Sequence, residues 1–269
     1  MNICFIGGGN MATALIGGML GKGFPAQQIS VVEINADSRA RLLRDLAVRA
    51  VDNIADGISG SQIIVLAVKP QQLREVAQQL ATRLKGQLLV SIAAGIRAED
   101  LARWSKSRTV VRAMPNTPAL IQCGMTGLYA MPEVSEAQRQ QVQSILSAVG
   151  ETLWLQDETM LDAVTAISGS GPAYVFYFIE ALQQAARELG FSAEEARRLS
   201  LATFLGASKL AASSVEDASV LRARVTSKNG TTERALSSMD ADHVSEHISR
   251  AAHSAATRSR EMGDELGKQ

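Results

Sequence analysis

The feature that most constrains this chain is its opening, where an apolar run leads through consecutive glycines into a helix. Residues 2–7 read as a strand, and residues 11–21 repeat small apolar residues at helical spacing. Gly7, Gly9 and Ala12 match the pattern G-x-G-x-x-[GA]. The first glycine permits a tight turn, the second lets backbone approach a pyrophosphate, and the small third residue lets helix and strand pack closely. The opening therefore predicts a dinucleotide site; the alternative is a glycine-rich turn that binds nothing.

Apolar runs alternate with helical segments through the first half of the chain. Further strands are predicted at 29–34, 61–68 and 86–95. The helices between them are predicted at 37–46 and 71–84. Added strands and one more helix follow, at 107–115, 125–131, 151–155 and 135–149. Continuous apolar strands separated by helices indicate an α/β fold with a parallel sheet covered on both faces, over residues 1–158.

The pattern becomes entirely helical beyond residue 158. Pro172 suits the first turn of a helix and Gly190 its end, while Ser192 and Glu195 have the spacing of a capping box. Residues 159–269 therefore read as a separate helical domain. One of its helices carries the run 174–179, which is apolar all round and so requires burial on most sides. Because so small a domain struggles to bury it alone, we expect a second subunit to complete the core.

Glu33 ends the second predicted strand, about 20 residues beyond the glycine turn, where an acidic residue accepts hydrogen bonds from an adenosine ribose. A carboxylate there repels a 2′-phosphate, which favours NADH, or weak discrimination between the two coenzymes, over strict use of NADPH. Two alternatives stay open. Glu33 could point to solvent, and Asn35 and Arg39 are close enough in sequence to contact a phosphate.

Other predicted coenzyme contacts lie where strands end, because ligands of open α/β sheets bind at the carboxyl edge. Lys69 could orient the coenzyme or be a solvated lysine, and Asn116 sits between two prolines in a rigid loop. The predicted set comprises Ile6, Gly7, Gly8, Gly9, Asn10, Met11, Glu33, Ala67, Val68, Lys69, Pro70, Ala93, Ala94, Gly95 and Asn116.

A hydroxyl-rich loop, "VTSKNGTT" at 225–232, interrupts the helical half. Ser227, Thr231 and Thr232 offer hydroxyls, and Asn229, Gly230 and Thr231 offer backbone N–H groups just before a helix. Such a loop forms a concave anion site whose helix dipole has the favourable direction. We predict that it binds a small anionic substrate beside the dinucleotide; the alternative is an ordinary capping loop that uses Thr231 or Thr232.

Three segments, together with "IGGGNM" and "LAVKP", carry a resemblance that covers essentially the whole chain. They are "VRAMPNTPAL", "ISGSGPAYVFYFIEAL" and "VTSKNGTT", at 111–120, 167–182 and 225–232. The chain resembles the pyrroline-5-carboxylate reductases. The resemblance implies a Rossmann-type dinucleotide-binding domain followed by an all-α dimerisation domain, with higher oligomers in some members. The implied reaction is reduction of 1-pyrroline-5-carboxylate to L-proline by NAD(P)H, the last step of proline biosynthesis.

The resemblance also implies roles for single residues. Thr165 matches a threonine near the imine nitrogen, where it donates or relays a proton or positions a protonated iminium. Asn229 departs from the family, which usually has two consecutive glycines in this loop. Asparagine is the next most tolerant residue of left-handed backbone, so we expect the loop to keep its shape.

Composition limits the classes of function. With 27 basic and 27 acidic side chains, the chain has no electrostatic reason to bind nucleic acid. Two dissimilar cysteines, no secretory signal and no long apolar span predict a cytoplasmic protein. The spacing "HVSEH" at 243–247 fits a zinc peptidase, but no third ligand emerges and no metal is expected.

Rival functions are a related imine reductase, a 3-hydroxyacid dehydrogenase and a non-catalytic dinucleotide sensor. The dehydrogenase reading lacks its catalytic lysine, because the glycine-rich segment 167–172 offers none. The sensor reading would need the Gly7 turn but no anion-binding loop.

Overall fold

The computed structural model describes residues 1–268. Its first half is built on one eight-stranded sheet with the order β3-β2-β1-β4-β5-β6-β7-β8. Strands β1 to β6 run parallel, β7 is antiparallel to β6, and β8 is parallel to β7. The strands are β1 (Ile3–Ile6), β2 (Ile29–Val32), β3 (Arg49–Val51), β4 (Ile63–Leu66), β5 (Leu88–Ser91), β6 (Val110–Met114), β7 (Gly124–Ala130) and β8 (Gly150–Trp154). This confirms the predicted parallel α/β sheet. The short edge strand β3 was not predicted, because its residues do not form an apolar run.

Helices cover both faces of the sheet, as continuous apolar strands require. Along β1, Ile3 and Phe5 enter one apolar core while Cys4 and Ile6 enter the other. The alternation follows from the two-residue side-chain period of a strand. The helices of this part are α1 (Asn10–Gly21), α2 (Ala36–Leu46), α3 (Ile54–Gly57), α4 (Pro70–Leu80), α5 (Ala98–Ser105) and α6 (Glu136–Leu146).

The rest of the described chain is helical, and no strand follows Trp154 within it. Ser192 and Glu195 form the predicted capping box, and Gly190, at φ +100°, follows the end of the helix that contains Pro172. One π-helical turn, Thr165–Gly169, is inserted between two α-helices. The helices are α7 (Met160–Val164), α8 (Gly171–Glu188), α9 (Ala193–Ala212), α10 (Ala218–Arg224), α11 (Thr231–Ala241) and α12 (Val244–Gly267).

Packing divides the chain differently from the predicted boundary at residue 158. One unit comprises Met1–Ser170 together with the chain from Ala255 onward, and the other comprises Gly171–Ser254. The end of α12 belongs to the first unit because its polar side chains are bonded there. Ser259 Oγ donates a hydrogen bond of 2.6 Å to Asp162 Oδ1, and Arg97 forms an ion pair with Asp264.

Helix α8 contains no buried residue within the single chain. Phe176 and Tyr177, from the apolar run that predicts burial, are 66% and 70% exposed. Large apolar side chains in one exposed stretch are typical of an interaction surface. None of the described helices is both long enough and apolar enough to cross a membrane.

Candidate active site

A cleft of about 810 Å³ opens at the carboxyl ends of β1, β2 and β4. Here β1 lies between β2 and β4, so the strand order reverses, and this is where open α/β sheets bind ligands. The structure brings many of the predicted coenzyme contacts together in the lining, namely Ile6 to Gly9, Glu33 and Ala67 to Lys69.

The glycine turn has the backbone geometry that the motif predicts. Gly7 has φ +103°, and a Cβ on it would lie 2.6 Å from the carbonyl oxygen of Ala67. A side chain there would be strained and would overlap the end of β4. Gly9 differs, since a Cβ on it would meet no atom within 4 Å beyond the adjoining backbone. No side chain caps α1, whose first N–H groups are therefore available to a phosphate. This open space and these donors fit a pyrophosphate.

Glu33 is held at the lip of the cleft. Its carboxylate accepts a hydrogen bond of 3.0 Å from the Gly8 N–H and one of 2.9 Å from the Asn35 N–H. The alternative orientation, toward solvent only, is therefore wrong. Arg39 Nη1 donates to the backbone carbonyls of Glu33 and Ile34, at 2.8 and 2.9 Å. Each carboxylate oxygen of Glu33 keeps a lone pair that a ribose hydroxyl could use.

The same cleft contains residues that sequence reasoning missed. Asn53 follows β3 and caps α3, where its Oδ1 accepts from the Asp56 N–H at 2.9 Å. The capping spacing of Asn53 and Asp56 was the available signal. Gln72, Val76 and Gln79 also line the cleft, from one face of α4.

Other predicted contacts lie elsewhere in the same unit. Asn10 and Met11 form the first turn of α1, and Pro70 begins α4. Ala93 is buried, and Ala94 and Gly95 follow β5. Gly95, at φ +75°, packs against Met262 and Leu266 of α12 and lines a second cavity of about 540 Å³. The segment 93–95 therefore does not line the main cleft.

An ion pair connects the middle of the sheet to the start of the helical segment. Arg112, on β6, donates to Glu158 Oε1 at 2.6 Å, and only 11% and 20% of the two side chains are exposed. The same Glu158 oxygen accepts the Ala98 N–H at 2.6 Å. This pair, which the sequence did not reveal, holds the chain that leads into α7.

Thr165 begins the π-helical turn, and its hydroxyl donates a hydrogen bond of 2.8 Å to the carbonyl of Leu161. The side chain of Asn116 reaches the same turn. Its Nδ2 donates to the carbonyl of Ser168 at 3.0 Å, and its Oδ1 accepts the Met125 N–H at 2.9 Å. Asn116 keeps one N–H and one lone pair for any further contact.

In the hydroxyl-rich loop, Asn229 adopts the left-handed backbone that the sequence predicts for it. Asn229 has φ +59°, in the left-handed region, and its N–H donates to Glu233 Oε2 at 2.6 Å. Gly230 is the N-cap of α11, and no side chain caps that helix. The alternative that Thr231 or Thr232 serves as a capping residue is therefore wrong.

The histidine pair is not arranged on one helical face. His243 lies between α11 and α12, with φ +52°, and donates its backbone N–H to Asp240. It does not share a helix with His247, because α12 begins at Val244. Across residues 1–268, no three His, Cys, Asp or Glu side chains are grouped as a metal would require.

The doubly wound sheet and the glycine turn at its switch point define a Rossmann-type, dinucleotide-dependent oxidoreductase. Residues 158–262 match the family model described as pyrroline-5-carboxylate reductase dimerisation. Residues 2–95 match the model described as NADP oxidoreductase, coenzyme F420-dependent. The chain belongs to the pyrroline-5-carboxylate reductase family.

Individual relatives support that membership over the full length. The pyrroline-5-carboxylate reductase of Pseudomonas aeruginosa is 48% identical, covering 99% of this chain and 98% of its own. That of Haemophilus influenzae is 44% identical, covering 97% of each. Among solved structures, the Coxiella burnetii enzyme has a TM-score of 0.93 at 36% identity, covering 97% of this chain and 98% of its own. The Plasmodium falciparum reductase, solved with NADP bound, has a TM-score of 0.86 at 27% identity, covering 98% of each.

Proposed function

We propose that the protein reduces 1-pyrroline-5-carboxylate to L-proline with NADH or NADPH, the last step of proline biosynthesis. The observation that carries this is the 48% identity to the Pseudomonas aeruginosa reductase along 99% of the chain. The cleft at the switch point of the sheet supports it independently, because it offers a pyrophosphate both open space and N–H donors.

The coenzyme supplies the hydride when it is bound, and the protein supplies its position. Gly7 to Met11 would hold the pyrophosphate, and Lys69 and Pro70 would border it. Segment 93–95 and Asn116 would flank the nicotinamide. Glu33 would accept hydrogen bonds from the adenosine ribose, so we propose a preference for NADH. Its fixed carboxylate at the lip of the cleft supports this, since a 2′-phosphate would be repelled there.

The substrate is a cyclic imine with a carboxylate, and each group needs a partner. Ser227, Asn229, Gly230, Thr231 and Thr232 would form the carboxylate site. The donors would be the hydroxyls and the N–H groups at the start of α11, because the N–H groups of Asn229 and Gly230 are already bonded to Glu233 and to the Ser227 carbonyl. The left-handed Asn229 and the uncapped start of α11 support this role. Thr165 would lie near the imine nitrogen. Its hydroxyl proton is already bonded to the Leu161 carbonyl, which favours positioning of a protonated iminium over proton donation.

The working protein would be a homodimer or a larger oligomer. The exposed apolar face of α8 and the dimerisation model over residues 158–262 support this. We propose that residues 1–158 serve as the coenzyme domain and residues 159–269 as the dimerisation and substrate domain. A cytoplasmic location and independence of nucleic acid and metal complete the proposal.

The proposal is tested by the absorbance of NADH or NADPH during incubation with 1-pyrroline-5-carboxylate, in wild type and in Thr232→Ala. Loss of one hydrogen bond to a charged group costs about 1.5–3 kcal/mol, so we expect kcat/KM to fall about 10- to 150-fold. Thr82→Ala, an exposed threonine of the sheet unit, is the matched control and should behave as wild type. Absence of turnover by wild type would refute the assigned substrate, and an active Thr232→Ala would remove the loop from the site.

A further inference from the structure

The π-helical turn has a local cause in the sequence. In a regular α-helix the N–H of residue 172 would bond the carbonyl of residue 168. Residue 172 is proline, which has no N–H and whose ring clashes with the carbonyl four residues earlier. A turn with one extra residue relieves such a clash. Thr165–Gly169 is that turn, closed by a 2.8 Å bond from the Ser170 N–H to the Thr165 carbonyl.

Pro172 therefore leaves the carbonyl of Ser168 without its helical donor, and Asn116 takes that place. The Asn116 amide donates to this carbonyl at 3.0 Å, while its own oxygen is held by the Met125 N–H at 2.9 Å. One side chain thus ties the widened turn to the first residues of β7. These two hydrogen bonds also fix the orientation of the Asn116 amide group, because only its nitrogen can donate to Ser168 and only its oxygen can accept from Met125.

The π-helical turn and the end of α7 pack closely against the sheet. A Cβ on Gly169 would lie 2.7 Å from Met114 Cε, and one on Gly127 would lie 2.8 Å from Val164 Cγ1. The turn and the end of α7 therefore rest directly on β6 and β7. If the turn closed as an α-turn, it would contain one residue fewer. Thr165 would then rotate by about 100° about the helix axis relative to β6 and β7.

We propose that Asn116 is a positioning residue for the Thr165 hydroxyl, holding the π-helical turn that Pro172 requires. The predicted effect on kcat rests on the proposed reduction, whereas the role of Asn116 in holding the turn does not. Asn116 acts on catalysis through Thr165, in addition to any contact that it makes with the coenzyme.

The kinetic test is a double-mutant cycle between Asn116→Asp and Thr165→Val. Aspartate has nearly the same shape and still accepts the Met125 N–H, but it cannot donate to Ser168. A misplacement of about 1 Å costs on the order of 100-fold in rate, so we expect kcat to fall about that much in Asn116→Asp. This loss of kcat should persist at saturating coenzyme, whatever change the coenzyme Kd shows in fluorescence titration. Thr165→Val should lose as much, and the double variant no more than either single one.

The structural test needs no activity. In Pro172→Ala the new N–H can reach Ser168, so Asn116→Asp should lower the Tm less in that background than in wild type. The kcat of that double variant should nevertheless stay low, since the turn can now close in the wrong register. Asn2→Asp is the matched control, because Asn2 also donates to a backbone carbonyl, that of Gly60 at 3.2 Å, but is exposed at the amino end of β1. It should leave kcat unchanged.

Several outcomes would overturn the inference. Additive losses of kcat in the first cycle, at saturating coenzyme, would mean that Asn116 does not act through Thr165. Equal Tm losses in both backgrounds would mean that it does not replace the missing proline donor. If wild type failed to turn over this imine, the proposed function would fail, while the Tm cycle would still decide whether Asn116 holds the turn.

Discussion

Replacing Gly9 with alanine should weaken coenzyme binding and leave the free protein intact. The free chain has room for the methyl group, because that Cβ would meet no atom within 4 Å beyond the adjoining backbone. Its backbone is also suitable, with φ −71° and ψ −177° at the N-cap of α1. The only object that this methyl group would meet is a ligand that approaches the turn. Gly7→Ala provides the contrast, since its Cβ would lie 2.6 Å from the Ala67 carbonyl oxygen at φ +103°.

The magnitudes of the two substitutions follow from these geometries. Alanine at an N-cap is worse than glycine by roughly 0.5–1 kcal/mol, and the lower entropy of the unfolded chain returns about 0.4–1 kcal/mol. The free energy of unfolding of Gly9→Ala should therefore stay near that of wild type. Displacing a phosphate from one N–H donor costs about 1.5–3 kcal/mol, which raises the coenzyme Kd about 10- to 150-fold. Gly7→Ala adds backbone strain of about 1–3 kcal/mol to a steric overlap, so it should destabilise the free protein.

Thermal unfolding and calorimetric titration with NADH and NADPH separate the two effects. We expect Gly9→Ala to have the Tm of wild type without coenzyme and a smaller Tm increase with it. Gly7→Ala should have a lower Tm before any coenzyme is added. A Gly9→Ala variant that binds both coenzymes as tightly as wild type would falsify the assignment of this turn to the pyrophosphate.

Three further predictions concern charge. Glu33→Ser should raise the ratio of the NADPH to the NADH specificity constant roughly tenfold by removing a charge that repels the 2′-phosphate, and a wild type that prefers NADPH would contradict the assignment. Glu158→Ala leaves Arg112 without its partner, so the free energy of unfolding should fall by about 3 kcal/mol in urea titrations; an unchanged midpoint would show that the pair is not structural. Burial raises the pKa of Cys4 from 9.0 to about 11, so folding favours the protonated thiol. The resulting stability is complete below pH 9 and is lost as pH rises toward 11, and a Cys4→Ala variant should lack this part of the pH dependence of urea unfolding.

The strands and the glycine turn of the coenzyme-binding unit could be predicted because they follow from local residue preferences. Residues that alternate between two cores, such as Phe5 and Cys4, require a strand buried on both faces wherever it lies. Gly7 specifies a turn whose backbone geometry depends on its missing side chain, and Gly9 leaves open space beside that turn. Asn229 could be expected to adopt a left-handed conformation for the same reason, since this preference belongs to the residue and not to its neighbours.

Other features depend on residues far apart in the chain. Asn116 and Ser168 are 52 positions apart, and no sequence periodicity predicts that the Asn116 amide donates to the Ser168 carbonyl. Arg112 and Glu158 form their pair only because β6 and the start of α7 meet in three dimensions. The end of α12 likewise belongs to the first unit because Ser259 donates a hydrogen bond to Asp162, which lies 97 positions earlier in the chain. Periodicity and turn residues report local preferences, so the sequence by itself determined the strands, helices and glycine turn. The partners of Asn116, Arg112 and Ser259 were decided only by the tertiary structure, because long-range contacts exist once those elements have packed.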